Sequence, residues 1–194
     1  APGWSWNGVE PYFRKMENWK GSIDQARGRS GPLSVTDVSD KVHPLTNAYL
    51  EAASQLGFPM NKDYNGSDME GATIYQTTTD KGFRASAYVA YLRPVKNQKN
   101  VQILTKAHAK KVLFQGKKAT GIEYYHKGKT RIAWANREVI MSAGALLSPQ
   151  LLQLSGVGPA PLLKSHNIKV LHDLPAVGQH LKDHLGIDHT LLVN

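Results

Sequence analysis

Cysteine is absent from all 194 residues, which excludes disulfides, thiolate metal sites and cysteine nucleophiles and agrees with a reducing compartment. No apolar run approaches the length of about 18 residues that a membrane span needs. The opening APGWSWNG has neither the basic start nor the apolar centre of a secretory signal. Acidic residues are scarce, 15 against 24 Lys and Arg, for a net charge of +9. That excess invites a nucleic-acid reading, but helix-turn-helix spacing, zinc-finger spacing and a K/R-G-F-G-F run are all missing. The lysines in AKKVLFQGKKATGIEYYHKGKTRIAW alternate with strand formers, as on the wet face of an antiparallel meander. No nucleic-acid partner is therefore expected. What is present is globular: 41% hydrophobic residues, enough for one substantial core or pieces of two domains. The expectation is a cytoplasmic protein without a transmembrane segment, with membrane association of a longer protein left open.

Periodicity orders the rest. Val9 to Trp19 reads as an amphipathic helix with Val9, Tyr12, Phe13 and Met16 on one side and Pro11 in its first turn. GRSGPLSVTD is a glycine-proline turn into a short strand, and Pro44 to Leu56 a second helix stopped by Gly57 and Pro59. The turn pair Asn65-Gly66, an alternating strand around Ile74 to Thr78 and a short helix from Ser86 to Leu92 follow. From Val101 the chain turns to strands, VQILT, KKVLF, ATGIEYY, TRIAWA and EVIMS, with turns at Gly116 and Gly128. A short helix, a strand, a Pro-Ala-Val-Gly turn and a final β run complete it. Trp4, Trp6 and Trp19 are expected to pack against the first helix.

Gly144 to Pro159, GALLSPQLLQLSGVGP, is the most informative stretch. Ser148 suits an N-cap and Pro149 a first helical residue, so a helix is expected to start there. Leu151, Leu152 and Leu154 would bury it, and Gly156 and Gly158 release the chain. Upstream, Val139, Ile140 and Met141 make a β-rich run that ends in the small residues Ser142, Ala143 and Gly144. A strand, a glycine turn and a helix in that order let a flat or anionic ligand approach the backbone amides.

Gly144, Ala145, Ser148, Pro149, Leu151, Leu152, Ser155, Gly156, Val157 and Gly158 resemble a signature of the glucose-methanol-choline (GMC) oxidoreductases, G-A-x-x-S-P-x-L-L-x-x-S-G-V-G. Nearly the whole chain shares the resemblance. Its opening is similar to the family's GW-x-W/Y-x-x-V-x-PYF segment through Gly3, Trp4, Trp6, Val9, Pro11, Tyr12 and Phe13. Asp63 to Gly66, then Gly71, Tyr75 and Gln76, and then Arg84, Ser86, Ala87, Tyr91, Leu92 and Pro94 match further blocks. LPAVGQHLKDH resembles LPGVGxNLxDH, with Ala176 and His180 as departures.

The resemblance implies an FAD-dependent enzyme that oxidises the CH–OH group of a primary alcohol, with hydride passing to the flavin. It implies a mixed α/β fold: part of a substrate domain over residues 1–100, part of a Rossmann-like FAD-binding domain with its β-meander over 101–173, and a return segment over 174–194. A main-chain contact to adenine falls on Ala109, the adenosine half of FAD passes Ser142, Ala143 and Gly144, and Tyr75, Gln76 and Arg84 border the substrate side. In choline-specific relatives a glutamate two residues beyond the DH pair faces the quaternary ammonium, and Gly186 stands there, so a neutral alcohol is expected. The family's phosphate-binding G-x-G-x-x-G is not found, since Gly156 to Pro161 follows a helix and carries Pro161 where the third glycine belongs. The family's catalytic histidine pair also matches nothing here. The chain is therefore expected to be an internal fragment, inactive by itself, binding FAD poorly and self-associating through exposed sheet edges.

Two other readings stand beside this one. His180, Asp183 and His184 spell H-L-K-D-H, close to the inverted zincin H-x-x-E-H, although the flanking Gly178 and Gly186 oppose a helix and no firm third ligand is evident. No metal site is expected. A non-catalytic binding module, built on the long loops and exposed lysines, is the third class.

Overall fold

Apolar residues spaced three and four apart, with Ser5 as N-cap, produce the first helix, α1, over Trp6–Met16. The computed structural model describes residues 2–23, 26–190 and 192. It forms two compact units, Ala1–Ile103 and Leu104–Asn194. In the first, α1 starts and ends three residues earlier than its periodicity suggests, because Glu17–Trp19 is drawn into a strand, β1. Pro11 thus lies inside the helix, not in its first turn. β1 pairs in parallel with β2, Leu33–Val35, in the register Glu17↔Leu33 and Trp19↔Val35. A second helix, α2, covers Pro44–Gln55, with Pro44 pre-set for the first turn and the His43 ring nitrogen accepting from the Leu45 amide at 3.2 Å.

The strand expected at Ile74 to Thr78 does not form. Thr77 makes one bridge to Thr36, and the Gln76 amide donates to the Tyr64 hydroxyl at 3.3 Å instead of to a neighbouring strand. The hairpin comes just after it, as β3, Thr79–Asp80, and β4, Phe83–Arg84. Tyr88–Leu92 is a π-helical turn inside the span expected to be helical.

The second unit holds the meander: β5, His108–Gln115, β6, Lys118–His126, and β7, Lys129–Trp134, antiparallel and adjacent in that order. VQILT and EVIMS, both expected as strands, pair with no strand among the described residues, because an extended run needs a partner's backbone groups and finds none here. The signature helix, α3, runs Gly144–Leu154, one turn earlier than expected. Ser148 caps it from within, its hydroxyl accepting from the Ala143 amide at 3.0 Å. Pro149 therefore sits in the helix interior, where its missing N–H removes a bond to the carbonyl of Ala145.

After α3, β8, Val157–Gly158, pairs in parallel with β9, His172–Asp173, across α4, Ala160–Ser165. Asp173 caps α4 by accepting from the Ala160 amide at 2.9 Å. The expected final β run is not a strand in its described part, and residues 191, 193 and 194 lie outside the described residues. Val112, Leu151, Val157, Leu163 and Val177 form this unit's buried core. Ser155 ties the meander to the helix: the Val112 amide donates to its hydroxyl at 2.8 Å, and that hydroxyl donates to the Leu151 carbonyl.

Leu163, 1% exposed, is the keystone of this core. Leu163→Ala is expected to destabilise the second unit by about 2–5 kcal/mol. Amide hydrogen exchange should show faster exchange at Val112 and Val157, with the first unit unchanged.

Candidate functional site

The charge that organises the first unit is Arg27, 4% exposed. A buried guanidinium is tolerable only when its donors are matched, and five contacts engage all three of its nitrogens here. Its Nε donates to both Glu17 carboxylate oxygens at 3.0 and 3.2 Å, and a second nitrogen bonds Glu17 again. The third donates to Asp63 and to the Gln76 side-chain oxygen, the latter at 3.0 Å. Its carbon stands 4.2 Å from the centre of the Trp19 ring, which is buried beneath it. Burial lowers the guanidinium's pKa, but hydrogen bonds and charge from Glu17, then Asp63, more than offset this and hold it above the ordinary arginine value.

The loop that delivers Arg27 needs its glycines. A Cβ on Gly28 would stand 2.0 Å from the Arg14 carbonyl oxygen, and one on Gly31 2.2 Å from that of Met16. The loop can therefore lie flat on the end of α1, where the Gly28 amide donates to Glu17 at 3.0 Å. Gln76 and Asp63 are themselves joined: the Gln76 amide nitrogen donates to Asp63 Oδ1 at 2.7 Å, and Asn65 donates to Gln76 at 3.0 Å. Asp63 Oδ2 is buried without a hydrogen-bond partner among the described residues. A cleft of about 470 Å³ borders the cluster, lined in part by Trp6, Phe13, Tyr64 and Gln76.

Of the expected substrate-side residues, the structure gathers Gln76 into this network and leaves Tyr75 and Arg84 at the surface. Tyr75 is 81% exposed, with its ring edge-on to Tyr64. Both polar ends of the Gln76 side chain are engaged, so it positions the loop and has no hydrogen-bonding atom left unused. Of the tryptophans expected to pack on α1, Trp6 stacks on Phe13 at 6.1 Å yet is 64% exposed, and Trp4 is 79% exposed. Arg27 and Glu17 escaped the sequence reading; the paired glycines of R-G-x-x-G after an ENW segment were their only trace.

The expected cofactor-side residues all fall in the second unit. Ala109 sits at an irregularity of β5, between its pairing to Tyr124 and that of Lys111 to Glu123. Ser142, Ala143 and Gly144 form the exposed entry to α3, which packs against β5. Gly144 is left-handed, φ +88°, and open space lies where a Cβ would stand. The H-L-K-D-H residues form no helix: His180 is itself left-handed, and the one-turn spacing of His180 and His184 is not realised.

Removing one partner of a buried ion pair strands the others. Arg27→Met is expected to cost about 3–5 kcal/mol and to shift Trp19 fluorescence toward that of a wetted indole. Adding Glu17→Gln and Asp63→Asn to the same chain should recover much of the loss, whereas equal losses in the single and triple variants would contradict a charge-centred network.

The sequence pattern of GMC oxidoreductases matches residues 1–186. An oxygen-dependent choline dehydrogenase of Photobacterium profundum is 43% identical over 188 residues, which are 96% of this chain and 33% of that protein. Among solved structures, an FAD-dependent oxidoreductase from Chaetomium thermophilum superposes with a TM-score of 0.86 at 33% identity, covering 94% of this chain and 34% of its own. Pyridoxine 4-oxidase from Mesorbium loti superposes with a TM-score of 0.83 at 31% identity, covering 90% and 34% respectively. The chain spans about a third of the length of the curated relatives it matches. By the extent of that match, it belongs to the GMC oxidoreductase family.

Proposed function

We propose that the protein containing this chain is an FAD-dependent oxidoreductase acting on the CH–OH group of a primary alcohol. The family match over residues 1–186 carries the reading. Bound FAD would supply the acceptor for the hydride of the alcohol carbon. Residues 101–173, with the meander and α3, are assigned to the FAD-binding domain, residues 1–100 to the substrate domain, and 174–194 to a return segment toward the latter. Gly144 fits a cofactor wall: its left-handed backbone and the open space beyond it leave the main chain of Ser142 to Gly144 accessible to a flat ligand. These residues and the main chain of Ala109 would hold the adenosine half.

Toward the substrate, Tyr75 and Arg84 present exposed side chains. Gln76 keeps that loop in place from the Arg27 network. The reading of a neutral alcohol rests on Gly186, which offers no carboxylate to a quaternary ammonium. Asp188 follows in a segment with no strand register to aim it. The apolar runs at 101–104 and 138–142, left without strand partners among the described residues, would favour association between copies of the chain.

The intact protein should purify with flavin absorbance that bleaches on anaerobic addition of an aliphatic or aromatic primary alcohol. Its kcat/KM for such alcohols should exceed that for choline, and Gly186→Glu should move the ratio toward choline. The isolated chain, with no G-x-G-x-x-G to anchor a pyrophosphate, should purify without stoichiometric flavin. An intact protein without flavin would overturn the function; preferred turnover of choline would overturn the substrate class alone.

A further inference from the structure

The charge of this chain is not spread over its surface. Between Lys106 and Arg131 there are eight basic residues and one acidic, a local net of +7 within a total of +9. This segment is the meander, and its register separates two faces. Val112, buried, and its partner Ile122 mark the inner face. One residue along, Lys111, Glu123 and Ile132 lie side by side on the outer face, and so do Trp134, beside Gly121, and Tyr125, beside Thr130.

That outer face combines two things. Its apolar side chains are uncovered: Trp134 is 70% exposed, Tyr125 48% and Ile132 47%. Its ends are cationic, with Lys117 and Lys118 at one hairpin and Lys127 at the turn of the other, where Lys129, opposite His126, falls on the inner face. The sole carboxylate, Glu123, is already shared, 2.9 Å from the Lys110 ammonium and 3.7 Å from that of Lys111. It therefore cannot neutralise the hairpin lysines.

We propose that the outer face of the meander docks on an anionic phospholipid surface, with the hairpin lysines at the headgroup phosphates and Trp134, Tyr125 and Ile132 at the interface. This interaction is separate from the oxidoreductase reading. Three features favour a lipid surface over a nucleic acid. Seven of the eight cations are lysines, point charges suited to a diffuse field, where arginine would give bidentate phosphate recognition. The exposed indole and phenol are the side chains that settle at a membrane interface. A three-stranded sheet presents a broad face and not a groove that tracks a strand.

The test uses the intact protein and co-sedimentation with vesicles of phosphatidylcholine alone or of phosphatidylcholine with phosphatidylglycerol. Binding is expected only to the anionic vesicles and should weaken steeply as salt shortens the Debye length. Replacing Lys117, Lys118 and Lys127 by Gln should lower partitioning by about 100-fold, since each basic residue near such a surface contributes substantially. Trp134→Ser should lower it independently, at a circular dichroism spectrum matching the parent's. None of these lysines is among the residues assigned to cofactor or substrate, so alcohol turnover in solution serves as the control for folding. Equal binding to neutral vesicles, partitioning unchanged in the three-lysine variant, or preferential binding of RNA or duplex DNA at the same salt would each overturn the proposal.

Discussion

A single buried cation sets the architecture of the first unit. Arg27 joins the strand after α1, the turn at Asp63 and the segment at Gln76, three parts of the chain with little regular structure in common. Hydrophobic burial could not do this alone, because Trp19 and Ala85 are the only large or small apolar side chains of that unit in its buried set among the described residues. Two carboxylates around one guanidinium leave one negative charge in excess, and Asp63 Oδ2 has no partner. Such a cluster is a source of geometric definition more than of stability, since its desolvation opposes its attraction. What it defines is the course of the loop carrying Tyr75, so the proposed substrate side inherits its precision from an ion pair.

The second unit solves a different problem. Its meander is amphipathic in the ordinary way, and its inner face meets α3 through Val112, Leu151 and the hydroxyl of Ser155. Backbone conformations there are set locally. Gly144 opens the helix in a left-handed turn, Ser148 closes that turn from within the helix, and Asp173 caps the next helix from a neighbouring strand. The segment proposed to meet the cofactor is therefore held from one side and bare on the other.

Much of this was legible in the residues. Alternating lysines marked β5 to β7, and the proline at position 44 marked the start of α2, because both signals are local and periodic. VQILT and EVIMS have equally good strand composition and are not strands here, since pairing depends on a partner that composition does not reveal. Ser148 and Pro149 looked like a helix start, yet Gly144 could begin the helix a turn earlier and use the same serine as its cap. Arg27 carried almost no signal: its partners lie 10, 36 and 49 residues away, and no pattern of neighbours predicts such a meeting. The candidate site was thus readable where a motif is contiguous and hidden where it is assembled by tertiary structure.

The central claim is that the bare backbone at the entry to α3 is one wall of a flavin site. Ala143→Trp in the intact protein tests it most directly, because it adds bulk at the exposed entry to α3 at an ordinary φ of −87°, whereas any side chain at Gly144, φ +88°, would strain the turn itself. The account predicts a variant whose dissociation constant for FAD rises by about tenfold or more, with the hydrogen exchange of Val112 and Leu151 unchanged. Unaltered FAD affinity in a variant that folds would contradict it.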